Sequence, residues 1–420
     1  HPYARLMTMN DSDIATGPLV SGNRRRLCLG GMAVAMLGVK SAGAKSDCAP
    51  DAWPLWRAFT TRFIQPDGRV LDASTPQRHS SSEGQSYGMF FALLANDRAR
   101  FESLWRWSID NLFGGTLKGR LPAWWWGQAP DGSWRVLDGN SASDADLWFV
   151  YALAEAARLW NQPGYARDAR MLLAAIESQE VSEVPEFGTM LLPGAAGFMR
   201  DGGLHWQFNP SYLPMPVLRR LAALSPRGPW SRIAANTATL VQRSAGAHGL
   251  APDWIAYAMD TQGAWAFTAH PEKGSTGSYD AIRTYLWAGM TPRNDPLAAP
   301  MMKSLRGLEA ILARTGALPE SVNTASGEAK GAAPFGFYAA MLPYLETAAA
   351  PGPRVQAQRQ RVEQELARVL AERATATQQP PYYDIVLSLF GMGWADRRYR
   401  FTRTGELAPR WASECKASTS

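Results

Sequence analysis

Cysteine and histidine are scarce in this chain: three and five of 420 residues. His1, His79, His205, His248 and His270 lie far apart, and no Cys/His group has metal-ligand spacing, so neither a metal nor a cofactor is expected. No Ser/Gly-rich or Pro-rich stretch interrupts the middle, which argues against a string of small domains. No fixed-period repeat is present, which argues against a solenoid. The formal charge is +6, but it is spread along the chain, and nucleic acid is not an expected partner. The one tight basic run, Arg24-Arg25-Arg26, has another reading.

That run is followed by an apolar stretch, 27–39, and by the small residues Ala42-Gly43-Ala44. A charged region, an apolar region and a small-residue site form a secretory signal. The apolar stretch is too short for a permanent membrane anchor. Residues 1–44 therefore read as an N-terminal extension plus signal peptide, and 45–420 as one domain in the periplasm or outside the cell. Paired arginines leave the ordinary and twin-arginine routes both open. Cys28 falls inside the signal. Cys48 and Cys415 remain as a disulfide candidate, since exported proteins with an even cysteine count commonly pair them.

Helical periodicity is abundant. Apolar residues recur at three- and four-residue spacing in twelve segments: 53–64, 83–96, 98–112, 144–160, 166–178, 211–224, 229–243, 279–288, 296–315, 334–345, 354–374 and 383–390. Strand signals are short, 134–137 and 188–192. Twelve helices suit a closed ring of helical hairpins, although pattern alone also permits an open stack. The chain carries 17 Trp, many in three long connections, 113–143, 179–210 and 245–278. Among these are Trp134, Trp206, Trp254 and Trp265. Trp124, Trp125 and Trp126 are adjacent, and three consecutive rings do not easily face one core, so at least one is expected to line a groove.

Three acidic clusters stand at helix starts. Glu83 is flanked by Gly84 and Gly88, glycines that weaken a helix by about 1 kcal/mol each and suggest a close approach. Asp144-Ala145-Asp146 and Ser278-Tyr279-Asp280-Ala281-Ile282-Arg283 follow. Each cluster has a structural reading: capping boxes at Ser80/Glu83 and Ser82/Gln85, acidic first turns, and an Asp280–Arg283 ion pair. If the helices ring one axis, their starts converge. Asp146 and Asp280 would then hold a proton on Glu83, and Arg283 would keep Asp280 ionised. Carboxylates among aromatic rings suit hydrolysis of sugar chains.

The runs Ser82–Met89, Leu121–Trp124, Asn140–Asp146, Phe208–Tyr212, Ser278–Arg283 and Leu389–Gly391 resemble, in order, those of family 8 glycoside hydrolases. Within that family the chain is similar to periplasmic endoglucanases encoded beside bacterial cellulose synthase. The resemblance implies an all-α (α/α)6 barrel and inverting cleavage of β-1,4-glucan. It maps the general acid onto Glu83, the base onto Asp280 and a substrate-holding, ring-distorting carboxylate onto Asp146, with Asp144 structural. Tyr279 and Arg283 match residues that position the base and its water. Trp124, Tyr212 and Tyr383 match sugar platforms. The subgroup also implies association with the cellulose synthase export machinery. A xylanase or chitosanase of the same fold, and a glycan-binding subunit of an export complex, are the competing readings. A lyase would need a basic cleft, whereas these clusters are acidic.

Overall fold

The computed structural model describes Cys48 and residues 50–348, 352–371 and 379–418. The expected signal region, 1–44, lies outside the described residues. Cys48 and Cys415 are each disulfide-bonded.

Among the described residues fourteen α-helices follow one another. They are α1 Pro54–Phe63, α2 Ser82–Leu94, α3 Arg98–Asn111, α4 Ser143–Trp160, α5 Pro163–Gln179, α6 Met215–Leu224 and α7 Trp230–Ala245. Then come α8 Ala281–Met290, α9 Ala298–Ser304, α10 Gly307–Thr315, α11 Phe335–Ala348, α12 Pro353–Ala371, α13 Tyr382–Ala395 and α14 Arg410–Ser418. Two kinds alternate. Helices α2 and α8 are buried along their whole length, and α4, α11 and α13 along most of theirs. A helix that is apolar on every side must sit inside other helices. Helices α3, α5, α7 and α12 bury one face only. In α7 that face is Ile233, Ala234, Thr237, Leu240, Val241 and Ser244.

The inner helices pack as neighbours in the order α2, α4, α6, α8, α11, α13. The ring closes where Phe390 of α13 meets Phe91 (4.7 Å) and Tyr87 (5.0 Å) of α2. Trp287 and Trp148 reach the same ring at 5.2 and 5.6 Å, so aromatic side chains fill the barrel axis. Gly391 makes one inner contact possible: a Cβ there would stand 1.9 Å from the Ala339 carbonyl oxygen of α11. The architecture is an (α/α)6 barrel.

Local differences from the periodicity have physical causes. Segment 211–224 divides into a 3₁₀ turn, Pro210–Tyr212, and α6, with Pro214 as the cap residue. Segment 296–315 breaks at Leu305, and the Gly307 amide instead donates to the Gly249 carbonyl at 2.8 Å. Helix α13 runs on past Phe390 through Gly391 and Gly393, because inner packing outweighs their low helix propensity. The two short strands occur as Trp134–Asp138 and Gly188–Leu191. Periodicity gave no sign of a four-stranded antiparallel sheet. It joins Met199–Arg200, His205–Phe208, Ile255–Met259 and Trp265–Ala269 from two distant loops.

Candidate active site

The starts of α2, α4 and α8 converge at one end of the barrel. At α2, Ser81 is the cap, its Oγ accepting the Gly84 amide at 3.0 Å. This replaces both expected capping boxes. Gln85 instead ties down the preceding turn, accepting from the Val70 amide at 2.5 Å and donating to the Gly68 carbonyl at 3.1 Å. Glu83 is thereby left to face the axis. The Ser82 amide donates to the Trp124 carbonyl (3.1 Å), and the Trp124 amide to the Asn140 carbonyl (2.8 Å), which joins α2 to the approach of α4. The close approach suggested by Gly84 is Tyr382, whose hydroxyl would lie 2.8 Å from a Cβ.

Arg283 is the centre of the cluster, with no exposed surface. Its Nη1 donates to Glu83 Oε2, to the Tyr87 hydroxyl at 3.0 Å and to Asp144 Oδ2 at 3.2 Å. Its Nη2 donates to Asp280 Oδ1 at 2.8 Å and to Ser211 Oγ at 3.2 Å. One guanidinium therefore gathers one carboxylate from each of the three clusters. A buried cation surrounded this way is held by its partners, and a buried carboxylate left without it would cost several kcal/mol.

Asp280 is fixed twice over. Trp254 Nε1 donates to its Oδ2 at 3.2 Å. Asp253 caps its helix: Asp253 Oδ1 accepts the amides of Ser278 (2.8 Å), Asp280 (3.1 Å) and Ala281 (2.8 Å), and Oδ2 accepts the Ser278 hydroxyl at 2.7 Å. Burial pushes Asp280 up to about 6, opposed by Arg283 and reinforced by the charges of Asp253 and Glu83. Burial, then the Glu83 charge, push Asp144 up to about 8 against the pull of Arg283. The cluster thus retains a proton at neutral pH.

The carboxylate beside Glu83 is Asp144, not Asp146. This corrects the placement expected for Asp146. Two residues apart on a helix means different faces. Asp146 is fully buried, and burial followed by the charge of Glu180 holds its carboxyl well above the usual range. Glu180 in turn accepts the Ser141 hydroxyl at 2.5 Å and is pushed up to about 7 by burial. Asp146 supports the start of α4 from behind and does not reach the axis cluster.

The aromatic candidates are gathered but more enclosed than open platforms. Trp124, Tyr212 and Tyr383 are 8, 2 and 7% exposed. The Trp124 ring packs on Trp125 at 4.6 Å, which covers part of it. Trp125 and Trp126 are half-buried. Tyr212 lies between Arg283, 5.8 Å from its ring centre, and Trp254 at 5.9 Å. Tyr279 is half-buried, and its hydroxyl donates to Glu320 Oε1 at 2.7 Å rather than to Asp280. The Tyr383 hydroxyl donates to the Tyr279 carbonyl at 2.6 Å. Asp253 and Glu320 carried no motif signal, since each acts across a long loop. Trp254 was visible only as one of many loop tryptophans.

The glycosyl hydrolases family 8 profile matches residues 31–397. The chain is 46% identical over 405 residues to an endoglucanase of Xanthomonas axonopodis pv. citri (strain 306), covering 94% of this chain and 99% of that protein. It is 41% identical over 385 residues to an endoglucanase of Escherichia coli (strain K12), covering 92% and 98%. Among solved structures it is similar to the endo-1,4-D-glucanase of Vibrio fischeri ES114. That match has a TM-score of 0.78 at 37% identity, and spans 86% of this chain and 99% of that one. It is also similar to an endo-β-1,4-glucanase of Acetobacter xylinum, with a TM-score of 0.64 at 27% identity over 80% and 95% of the two chains.

Proposed function

The chain belongs to glycoside hydrolase family 8, and from that membership we propose that it cleaves internal bonds of β-1,4-glucan with inversion, Glu83 acting as general acid and Asp280 as general base. The observation that carries the assignment is the bridge of Arg283 between them. The two carboxyl groups meet different nitrogens of one guanidinium, and the inverting reading requires them to stand about 6.5–9.5 Å apart, with room for a water. Asp280, pushed up to about 6, is ionised at neutral pH yet basic enough to take a proton from that water. Glu83 and Asp144 touch the same Arg283 nitrogen, so the proton that burial keeps on this group of carboxyls is within reach of Glu83. When a glucan chain enters, Glu83 carries that proton to the glycosidic oxygen while Asp280 takes a proton from the attacking water on the opposite face of the sugar. The C–O bond to the leaving chain breaks, the C–O bond to water forms, and the new reducing end is the α-anomer.

Trp254 and Asp253 hold the base. Beside Glu83 on Arg283, Asp144 rather than Asp146 is the carboxylate this reading gives to holding the sugar being cleaved. Tyr279 is half-buried, and this reading gives its accessible part to the sugar face. The signal-like pattern of 24–44 and the disulfide-bonded Cys48 and Cys415 support a periplasmic or secreted location for the 45–420 domain. The subgroup resemblance supports work beside the cellulose synthase export machinery.

The test is Glu83→Gln. The variant keeps the shape of the side chain and one donor toward the glycosidic oxygen but cannot deliver a proton. It should melt within a few degrees of the wild type and lose about 10²–10⁴-fold in kcat on a soluble cellulose derivative. Near-normal turnover by folded Glu83→Gln would remove Glu83 from the acid role.

A further inference from the structure

Outside the cleft, one aromatic ring is presented to solvent in a way that packing does not require. Trp134 is 43% exposed, beside Met199 and Leu204 the only large apolar side chains so exposed among the described residues. It opens the edge strand Trp134–Asp138 of a three-stranded sheet whose central strand is Trp125–Gln128 and whose far strand is Ser80–Ser81. Trp134 pairs with Gln128, so Trp126 stands diagonal to it, within reach of a large ring. The two indoles stack at 5.4 Å and 24°. Trp126 is itself braced edge-on by Trp107 at 5.2 Å. The Arg69 guanidinium lies 4.6 Å from both Trp126 and Trp134.

In a triangle with sides of 5.4, 4.6 and 4.6 Å, the angle at Trp134 is acute. Trp126 and Arg69 therefore crowd the same side of the Trp134 ring, and its exposure belongs to the other side. Arg69 is not a loose surface cation either: its Nε donates to Ser80 Oγ at 2.7 Å. The result is a flat, rigid aromatic face, held from behind and open in front. It sits on the hairpin that continues directly from Trp124, whose backbone meets α2 at Ser82.

We propose that Trp134 is a binding platform for the β-1,4-glucan chain outside the catalytic cleft, with the apolar face of a glucosyl ring stacking on its open side. This rests on the glucanase reading of the cleft. Pyranose rings present an apolar face of C–H groups, and a pre-ordered indole meets such a face with little entropy cost. The hairpin gives the platform a fixed relation to the cleft, so one long chain can engage both, and a second contact on one polymer raises its effective concentration at the first. Short oligosaccharides that only fill the cleft do not reach it.

The experiment compares wild type, Trp134→Ala, Trp134→Phe and the exposed control Arg135→Ala. Each is measured by affinity electrophoresis in hydroxyethyl cellulose, by pull-down on amorphous cellulose, and for kcat/KM on cellotetraose. Trp134→Ala should weaken polymer binding by about 3- to 10-fold, the size of one aromatic contact. It should leave cellotetraose kcat/KM and the melting temperature unchanged. Trp134→Phe should recover most of the binding, and Arg135→Ala should match wild type. Unchanged polymer binding by Trp134→Ala overturns the platform while leaving the cleft reading intact. An equal loss on cellotetraose overturns it by putting Trp134 inside the cleft. A large fall in melting temperature overturns it by making the ring structural. A wild-type protein that neither binds nor cleaves the polymer overturns the glucanase reading, and the platform with it.

Discussion

Asp253 does not touch the reaction, yet it makes four hydrogen bonds at the start of the helix that carries Asp280, one from a side-chain hydroxyl and three from backbone amides. Two substitutions separate its two effects. Asp253→Ala removes every acceptor and leaves the amides buried. Hydrogen bonds to a charged group contribute about 1.5–3 kcal/mol each, but these four share one carboxylate and a water can enter the gap. The expected loss is therefore about 3–5 kcal/mol, more than an ordinary helix cap. For a domain of this size that is a drop of roughly 4–6 °C in Tm. Activity should fall further than stability, because Asp280 loses its backbone anchor.

Asp253→Asn keeps the amide-accepting oxygen, and the Ser278 hydroxyl can turn to accept from the new amide group. The fold should survive. The negative charge that helps raise Asp280 is gone, however. A base must be ionised to work, so activity falls as pH drops through its folded-state value. The wild-type kcat/KM profile on cello-oligosaccharide should be bell-shaped, with an acid limb near 6 from Asp280 and an alkaline limb near 8 as the cluster loses its proton. In Asp253→Asn the acid limb should move to lower pH while the alkaline limb stays. An acid limb that stays put or moves up, or an Asp253→Ala protein within about 1 kcal/mol of wild type, would refute the positioning role.

Two further outcomes are expected. Tyr382→Phe should leave stability unchanged or raise it slightly, because the Tyr382 hydroxyl is buried without a hydrogen-bond partner; differential scanning calorimetry decides, and a clear fall in Tm would reveal a partner for that hydroxyl. Peptide mapping without reductant should recover Cys48 and Cys415 as one linked pair, and alkylation of either thiol in the folded protein would contradict it.

The inner helices were legible in the sequence because burial on every side writes a dense apolar pattern. Glu83, Asp280 and Arg283 were legible because each opens or follows a helix start in a compact motif. Asp144 and Asp146 were confused because the motif holds both, and only the 3.6-residue geometry decides which one faces the axis. Asp253 and Glu320 left no trace, and Trp254 stands out only as one loop tryptophan among many. Asp253 and Trp254 reach the cluster from a loop that runs into the four-stranded sheet of two distant segments, and Glu320 reaches Tyr279 from beside another sheet; no local pattern records either approach. The enclosure of Trp124 was missed for a similar reason, since adjacent tryptophans reveal ring density but not what covers the rings.

The central claim is a single displacement by Asp280-activated water with Glu83 as acid. The most direct measurement is ¹H NMR of the first product released from a β-1,4-linked cello-oligosaccharide, before mutarotation. The anomeric signal of the new reducing end should appear first as the α-anomer, with the β signal growing in later. Initial β-product would mean retention, and Asp280 could not be the base.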